Sequence, residues 1–308
     1  MKNFKISFGE WRAVIDVLRG ANCISLKNEH YGASILRELP ESGELDNPYL
    51  YGMPILFPVN RIEGGSFEFE GRKYSFPINE PRTGCHLHGE LHRMAFEIME
   101  QRDSKIVCRY KADKGEYLDF PHAFEIIQEY ALKEDGFYHT VTVSNLSEQN
   151  MPVFIGFHTT FNTLFTDNSL AENIRVYADI TEEYERNMEV NYLPTGVKPR
   201  FDDVSLALSN GTYNPFKGKA SRHYRGNGKM SITDTDNRLR IVYENDEKYG
   251  FRLIFNGGNE GYICLEPQTC LANCQNSPFS RSEGGFDYIR ANNAKTYKSN
   301  IYIEEIKI

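Results

Sequence analysis

Apolar and polar residues alternate over much of this chain, the two-residue period of strands that bury one face. Ser66-Phe67-Glu68-Phe69-Glu70-Gly71-Arg72-Lys73-Tyr74-Ser75-Phe76 keeps that period on both sides of Glu-Gly, which predicts a hairpin. Phe124 to Leu132 and Phe137 to Leu146 flank Lys-Glu-Asp-Gly and predict a second one. Leu239 to Tyr243, Phe251 to Phe255 and Tyr262 to Leu265 are short strand-like runs parted by Asn, Asp and Gly turns. Ser299 to Ile308 alternates less regularly through Ile301, Ile303 and Ile306. Helical spacing is scarce: Glu10 to Arg19 fits a short amphipathic helix, and Tyr184 to Val190 about one turn. Many strands at roughly 8–12-residue spacing, without alternating helices, predict an all-β antiparallel sandwich. No Pro/Gly/Ser-rich linker and no internal repeat divides the sequence, so residues 1–308 are expected to form one domain.

Composition supports this picture. With 308 residues, 40% of them hydrophobic, the chain can bury a sizeable core. The 19 Tyr, 20 Phe and 24 Gly against one Trp favour strands and turns. A net charge of -8 argues against nucleic acid or an anionic membrane as partner. Met1-Lys-Asn-Phe-Lys-Ile-Ser-Phe8 lacks the apolar core of a signal peptide, and no run approaches the ~20 apolar residues of a membrane span, so a cytoplasmic protein is expected. Cys23, Cys85, Cys108, Cys264, Cys270 and Cys274 are then expected as free thiols. The last three lack a C-x-x-C step, so no metal site is expected.

Two segments carry candidate chemistry. His158 lies in Gly-Phe-His-Thr-Thr-Phe-Asn and Glu266 in Leu-Glu-Pro-Gln-Thr, each among apolar and small polar residues near a predicted strand end. An imidazole and a carboxylate brought together can move protons both ways near neutral pH. The surroundings of Glu266 would desolvate it and raise its pKa, and His158 titrates in the right range if a neighbouring carboxylate keeps it charged. The plainer alternatives are a hydrogen-bonded core histidine and a strand-end surface charge.

These segments also fall in a familiar order. Tyr31-Gly32-Ala33-Ser34-Ile35-Leu36, Asn60-Arg61-Ile62-Glu63-Gly64-Gly65-Ser66-Phe67, Gly71 with Tyr74, and Leu87-His88-Gly89 precede the His158 segment. Leu193-Pro194-Thr195-Gly196 follows it, and then comes the Glu266 segment. Each is weak alone; the series resembles the aldose 1-epimerase (galactose mutarotase) family across roughly residues 20–305. Pro54-Ile55-Leu56-Phe57-Pro58 looks more like the family's broad uncharacterised branch than its galactose-specific members.

The resemblance implies a galactose mutarotase-like supersandwich with a monosaccharide on its concave face. It further implies interconversion of α and β anomers without a cofactor; the sequence leaves monomer and homodimer both open. Carried over by motif, Glu266 is the general base and His158 the general acid, with Arg61 and His88 holding ring or hydroxyl oxygens. Asn60 is a further binding candidate, with turn capping as its other role; Arg61 could equally brace a loop through a carboxylate. Spacing alone does not choose among His86, His88 and His92.

Two departures stand out. Glu90 replaces the family's usual second Gly after His88. The acidic residue that binds sugar hydroxyls in galactose-type members has no counterpart in Ala220-Ser221-Arg222-His223-Tyr224-Arg225, where His223 is the best positional match. Losing that acid should change hydroxyl specificity. Three rivals remain: a non-catalytic sugar-binding protein on the same fold, a hexose-phosphate 1-epimerase using Arg82, Arg93, Arg222 and Arg225, and a glycoside hydrolase recruiting Asp119 or Glu125 as its second carboxylate.

Overall fold

The computed structural model describes residues 2–40, 47–257 and 260–307. Strands make up about 48% of the chain and helix about 5%, which establishes the all-β class. The long hairpin expected from its alternation forms as Phe124–Lys133 and Gly136–Asn145, with every second residue of the first strand buried. It sits inside an eight-stranded antiparallel sheet, in the order Glu97–Arg102, Lys105–Ala112, Phe124–Lys133, Gly136–Asn145, Ala294–Glu305, Leu239–Asn245, Gly228–Asp234, Ile174–Ala178. A second sheet runs Glu182–Tyr184, Ala220–Arg225, Phe251–Asn256, Tyr262–Gln268, Gly156–Phe157, Ile55–Leu56, with Thr160–Asn162 also paired to Tyr262–Gln268.

The two sheets share one apolar cluster. Phe57 meets Phe124 at 5.3 Å, His139 meets Phe157 at 4.8 Å and Phe161 meets Tyr243 at 5.5 Å between ring centres. Such aromatic pairs add to the burial that drives sheet packing. All six cysteines are buried and free. No helix among the described residues is long and apolar enough to cross a membrane.

The short hairpin forms as Ser66–Phe69 with Arg72–Ser75, and its turn residues Glu70 and Gly71 have φ of 48° and 73°. Two successive left-handed residues match the right-handed twist of a tight hairpin. The strand expected at Tyr262 to Leu265 runs on through Gln268, and all seven residues are buried. With all seven residues buried, no exposed face alternates with a buried one, and the apolar run stops at the buried polar residues Glu266 and Gln268 rather than at the strand end.

Both expected helices are corrected. Trp11–Asp16 is a strand, paired with Asn3–Phe8 across a turn at Gly9 and Glu10, and with Asn22–Asn28 on its other edge. Trp11, Ala13 and Ile15 are buried while Arg12 and Val14 are only partly so, a period of two that long-range pairing selects over the helical one. The second segment is the end of strand Glu182–Tyr184 followed by a loop in which Arg186 bridges Pro194. The α-helix that does form, Asp203–Asn210, is capped by the Asp202 side chain accepting from Ser205 N at 3.0 Å and ends at Gly211 with φ of 71°.

Candidate active site

Register brings the two candidate groups together. Gly156 pairs with Gln268 and Thr160 with Cys264, so continuing the ladder sets His158 opposite Glu266. Pro267 has no N–H to give Phe157, which splits the partner strand into two short pieces without shifting its register. Opposed residues on neighbouring strands project to the same face with Cβ atoms about 5 Å apart. The resulting contact runs between His158 Nε2 and Glu266 Oε1 at 3.2 Å.

The remaining Glu266 oxygen is held by a buried relay. Oε2 accepts from Gln268 Nε2 at 3.0 Å, Gln268 Oε1 accepts from Asn60 Nδ2 at 3.0 Å, and the Asn60 backbone N–H donates to His88 Nδ1 at 3.2 Å. An acceptor at Nδ1 fixes the neutral His88 ring with its proton on Nε2. Asn60 and His88 both have φ of 61°, an uncommon conformation for such residues that clusters at functional sites. Gly89 follows with φ of 62°, and a Cβ there would lie 1.9 Å from the Phe57 carbonyl oxygen. Glu90 has φ of -123°, so its position does not require the second glycine of the family pattern.

A cavity of about 360 Å³ contains both members of the pair, and Asn60, Arg61 and His88 also line it. Arg61 forks onto Glu80 with two contacts of 2.7 Å, so it does brace a loop, and it lies 4.6 Å over the Tyr192 ring. Tyr49 stacks on His158 at 6.0 Å and meets His88 at 4.8 Å. His86 is turned away, bonded to the Pro77 carbonyl and stacked on Phe76, while His92 lines a different cavity.

Electrostatically the pair is unusual. Burial pushes the Glu266 carboxyl up to about 8, opposed by the Gln268 hydrogen bond and the charges of Arg186 and Arg61. Burial also pushes the His158 imidazole down to about 3. The two groups therefore hold a single proton between them across the neutral range. His88 lies well below its ordinary range, through burial and then the proximity of His158, and stays neutral. Glu80 is depressed: burial works to raise it, but the Arg61 fork and the Thr83 hydroxyl outweigh that.

Not every expected residue reaches the cavity. His223 shares the row Tyr184, His223, Leu253, Glu266 across four strands, but it is 0% exposed and does not line the cavity. Direct contact of His223 with a sugar is thus corrected: Leu253 stands between it and Glu266 in the row, and Ser221, two residues earlier on the same face, is the position that lines the cavity. The four arginines proposed as a phosphate cluster do not converge. Arg82 lines the cavity and donates to the Tyr192 hydroxyl at 2.7 Å, Arg222 is bound to Glu183 and Asp202, Arg225 to Glu182, and Arg93 lines the cavity of His92. Asp119 and Glu125 are also outside the cavity, Glu125 on the eight-stranded sheet near Arg109, so neither supplies a hydrolase's second carboxylate.

Several residues of the site escaped the sequence reading. Gln268 had a signal, since it stands two residues after Glu266 and a strand returns to the same face at that interval. Tyr49, Glu80, Arg186 and Tyr192 sit in loops or at strand ends with no local pattern that marks a site. A larger cavity of about 650 Å³ lies alongside, sharing Arg186, Ser221 and Phe255 but lacking His158 and Glu266.

Comparison with known proteins agrees with this fold. The aldose 1-epimerase family model matches residues 4–303. A galactose mutarotase-like protein from Clostridium acetobutylicum superposes with a TM-score of 0.90 at 28% identity, covering 98% of this chain and 95% of that one. A GalM/aldose epimerase homologue from C. elegans gives 0.79 at 11% identity, with 99% of each chain covered. Galactose 1-epimerase from Lactobacillus acidophilus gives 0.73 at 13% identity, over 99% of this chain and 95% of that one. At such identities the last two share the fold alone. Because the family model spans nearly the whole sequence, strands of both sheets included, this chain belongs to the aldose 1-epimerase family.

Proposed function

We propose that this protein interconverts the α and β anomers of a monosaccharide, with Glu266 as base at the anomeric hydroxyl and His158 as acid at the ring oxygen. The observation that carries the reading is the 3.2 Å contact between these two groups at a cavity of sugar size.

The reaction starts from the charged form of the pair, Glu266 carboxylate with His158 imidazolium. Glu266 takes the O1 proton as His158 delivers its own to the ring oxygen. The C1–O5 bond breaks and a C1=O1 aldehyde forms. Rotation about C1–C2 presents the other face of the aldehyde, and closure returns both protons. After opening, the pair is a carboxylic acid beside a neutral imidazole, the uncharged arrangement that burial favours. Burial favours that uncharged arrangement in the resting site as well, so the charged pair is a minor form in equilibrium with it, and the shared proton keeps the return step available. Positioned acid and base groups contribute roughly 10²–10⁴-fold each.

The relay through Gln268 and Asn60 would hold Glu266 Oε2, directing Oε1 at the reacting proton. His88 would donate from Nε2, and Arg61 from Nη1, the nitrogen its fork on Glu80 leaves free. The test is exchange between α and β anomer signals by NMR, with a panel of aldoses. Acceleration over the spontaneous rate, lost in Glu266→Gln, is the expected result. Line broadening from binding with no acceleration for any sugar would instead make this a non-catalytic sugar-binding protein.

A further inference from the structure

The acidic hydroxyl ligand missing from the sequence leaves open what occupies its side of the cavity, and the structure puts a cation there. Arg186 is 8% exposed and lines both the cavity of the His158–Glu266 pair and the larger one beside it. Its Nη2 donates to the carbonyl and hydroxyl of Ser221 at 2.6 and 2.9 Å. Those are neutral acceptors, and among the described residues no carboxylate lies within 4.0 Å of the guanidinium. The carboxylates on its own segment are engaged elsewhere, Glu183 by Arg222 at 2.8 Å and Glu185 by the Thr195 hydroxyl at 2.6 Å. Nε and Nη1 have no protein acceptor among the described residues, and neither is sealed from solvent.

We propose that the sugar handled at this site carries an anionic group, a carboxylate or a phosphate ester, that pairs with Arg186. The inference rests on the placement of a sugar in this cavity proposed above. A guanidinium taken out of water without a counter-ion is unfavourable, and a ligand anion removes that penalty as it binds. With Nη2 held by Ser221, Nε and Nη1 lie on different edges of the planar guanidinium, and each offers a charged donor to an oxygen of an anionic group. The surrounding charge agrees: Arg61, Arg82 and Arg186 face a single ionised carboxylate, Glu80, while the His158–Glu266 pair with its one proton is neutral. The cavity is therefore electropositive in a chain whose net charge is -8. A neutral sugar would leave this positive charge unanswered, and the shared rim with the larger cavity gives room for a substituent remote from the anomeric centre.

The test compares anomer exchange for glucose and galactose with that for their uronic acids and their 6-phosphates on the wild-type protein. The expected result is a kcat/KM for one anionic class about 10–150-fold above the matching neutral sugar, the range for a hydrogen bond to a charged group. Which class is faster tells carboxylate from phosphate, and inorganic phosphate alone serves as a competitor. Arg186→Gln should collapse the anionic-over-neutral ratio, and Arg186→Lys should restore part of it. Neutral sugars that outrun both anionic classes on the wild-type protein would overturn the proposal while leaving the mutarotase reading intact. If no sugar exchanges, that reading fails and thermal shift decides the proposal separately: anionic sugars must raise Tm where neutral ones do not.

Discussion

Glu266 is buried to 1% exposure, with Oε2 accepting from the Gln268 amide and Oε1 in contact with His158 at 3.2 Å but without a hydrogen bond. Its carboxyl accordingly titrates near 8 instead of the ordinary 4.5. The folded chain then holds this proton through a range where the unfolded chain has released it, so the group's contribution to stability falls as pH rises through that window. Glu266→Gln removes the titration. Its Tm relative to wild type should climb between about pH 5 and about pH 9, by roughly 2–4 °C per kcal/mol relieved. A constant difference across that range in thermal melts would contradict the raised pKa. Activity has the matching profile: kcat/KM should be flat where the pair holds one proton and fall above about 8, when that proton leaves and no acid remains. The low-pH limb lies near 3, where His158 takes a second proton. At neutral pH, Glu266→Gln and His158→Ala should each lower anomer exchange by roughly 10²–10⁴-fold in a folded protein. Near-wild-type rates in either would mean the proton-transfer pair is misassigned.

Among elements, the loop from Leu87 to Glu90 does most to position the binding side of the site. His88 and Gly89 both turn left-handed, which brings the Gly89 backbone against the Phe57 carbonyl and leaves His88 beside Asn60. An alanine at 89 meets that carbonyl at 1.9 Å and must move the loop. Gly89→Ala should therefore destabilise by about 1–3 kcal/mol and raise KM for the sugar, read from chemical denaturation and kinetics together. The strand pair carrying His158 and Glu266 is constrained in another way. Because side chains alternate with a period of two, a one-residue slip would turn both groups to the opposite face. Burial of all seven residues of Tyr262–Gln268 makes such a slip unfavourable.

Across the whole molecule, the site joins segments far apart in the chain. The Asn60 to Gln268 hydrogen bond spans 208 residues, and it links an N-terminal motif of the family pattern to the last one. Asn60→Ala and Gln268→Ala cut the same relay, so their effects on kcat should be strongly non-additive, the double variant falling little below the worse single one. Fully additive losses in a double-mutant cycle would show that the two residues act independently. The eight-stranded sheet takes no direct part in the cavity, yet it packs on the apolar side of the strands that do.

The sequence by itself determined the all-β class, both hairpins and the family, because alternation and turn chemistry are local and the motif series is linear. His158 and Glu266 were legible in the same way, as residues on matched motifs, and Asn60, Arg61 and His88 came with them. Pairing across strands was not legible, and it decided the rest. It made Trp11–Asp16 a strand where a helical period also fitted, and it carried Tyr262–Gln268 past its apolar run. It also buried His223 below the surface that Ser221 reaches. Arg186 stands in a stretch whose spacing also fitted a helical turn, and Tyr192 just before a motif rather than in it, so only tertiary structure could bring them to the cavity. The pKa of Glu266 belongs to the same class, since desolvation is set by everything packed around a carboxyl and not by its neighbours in the chain.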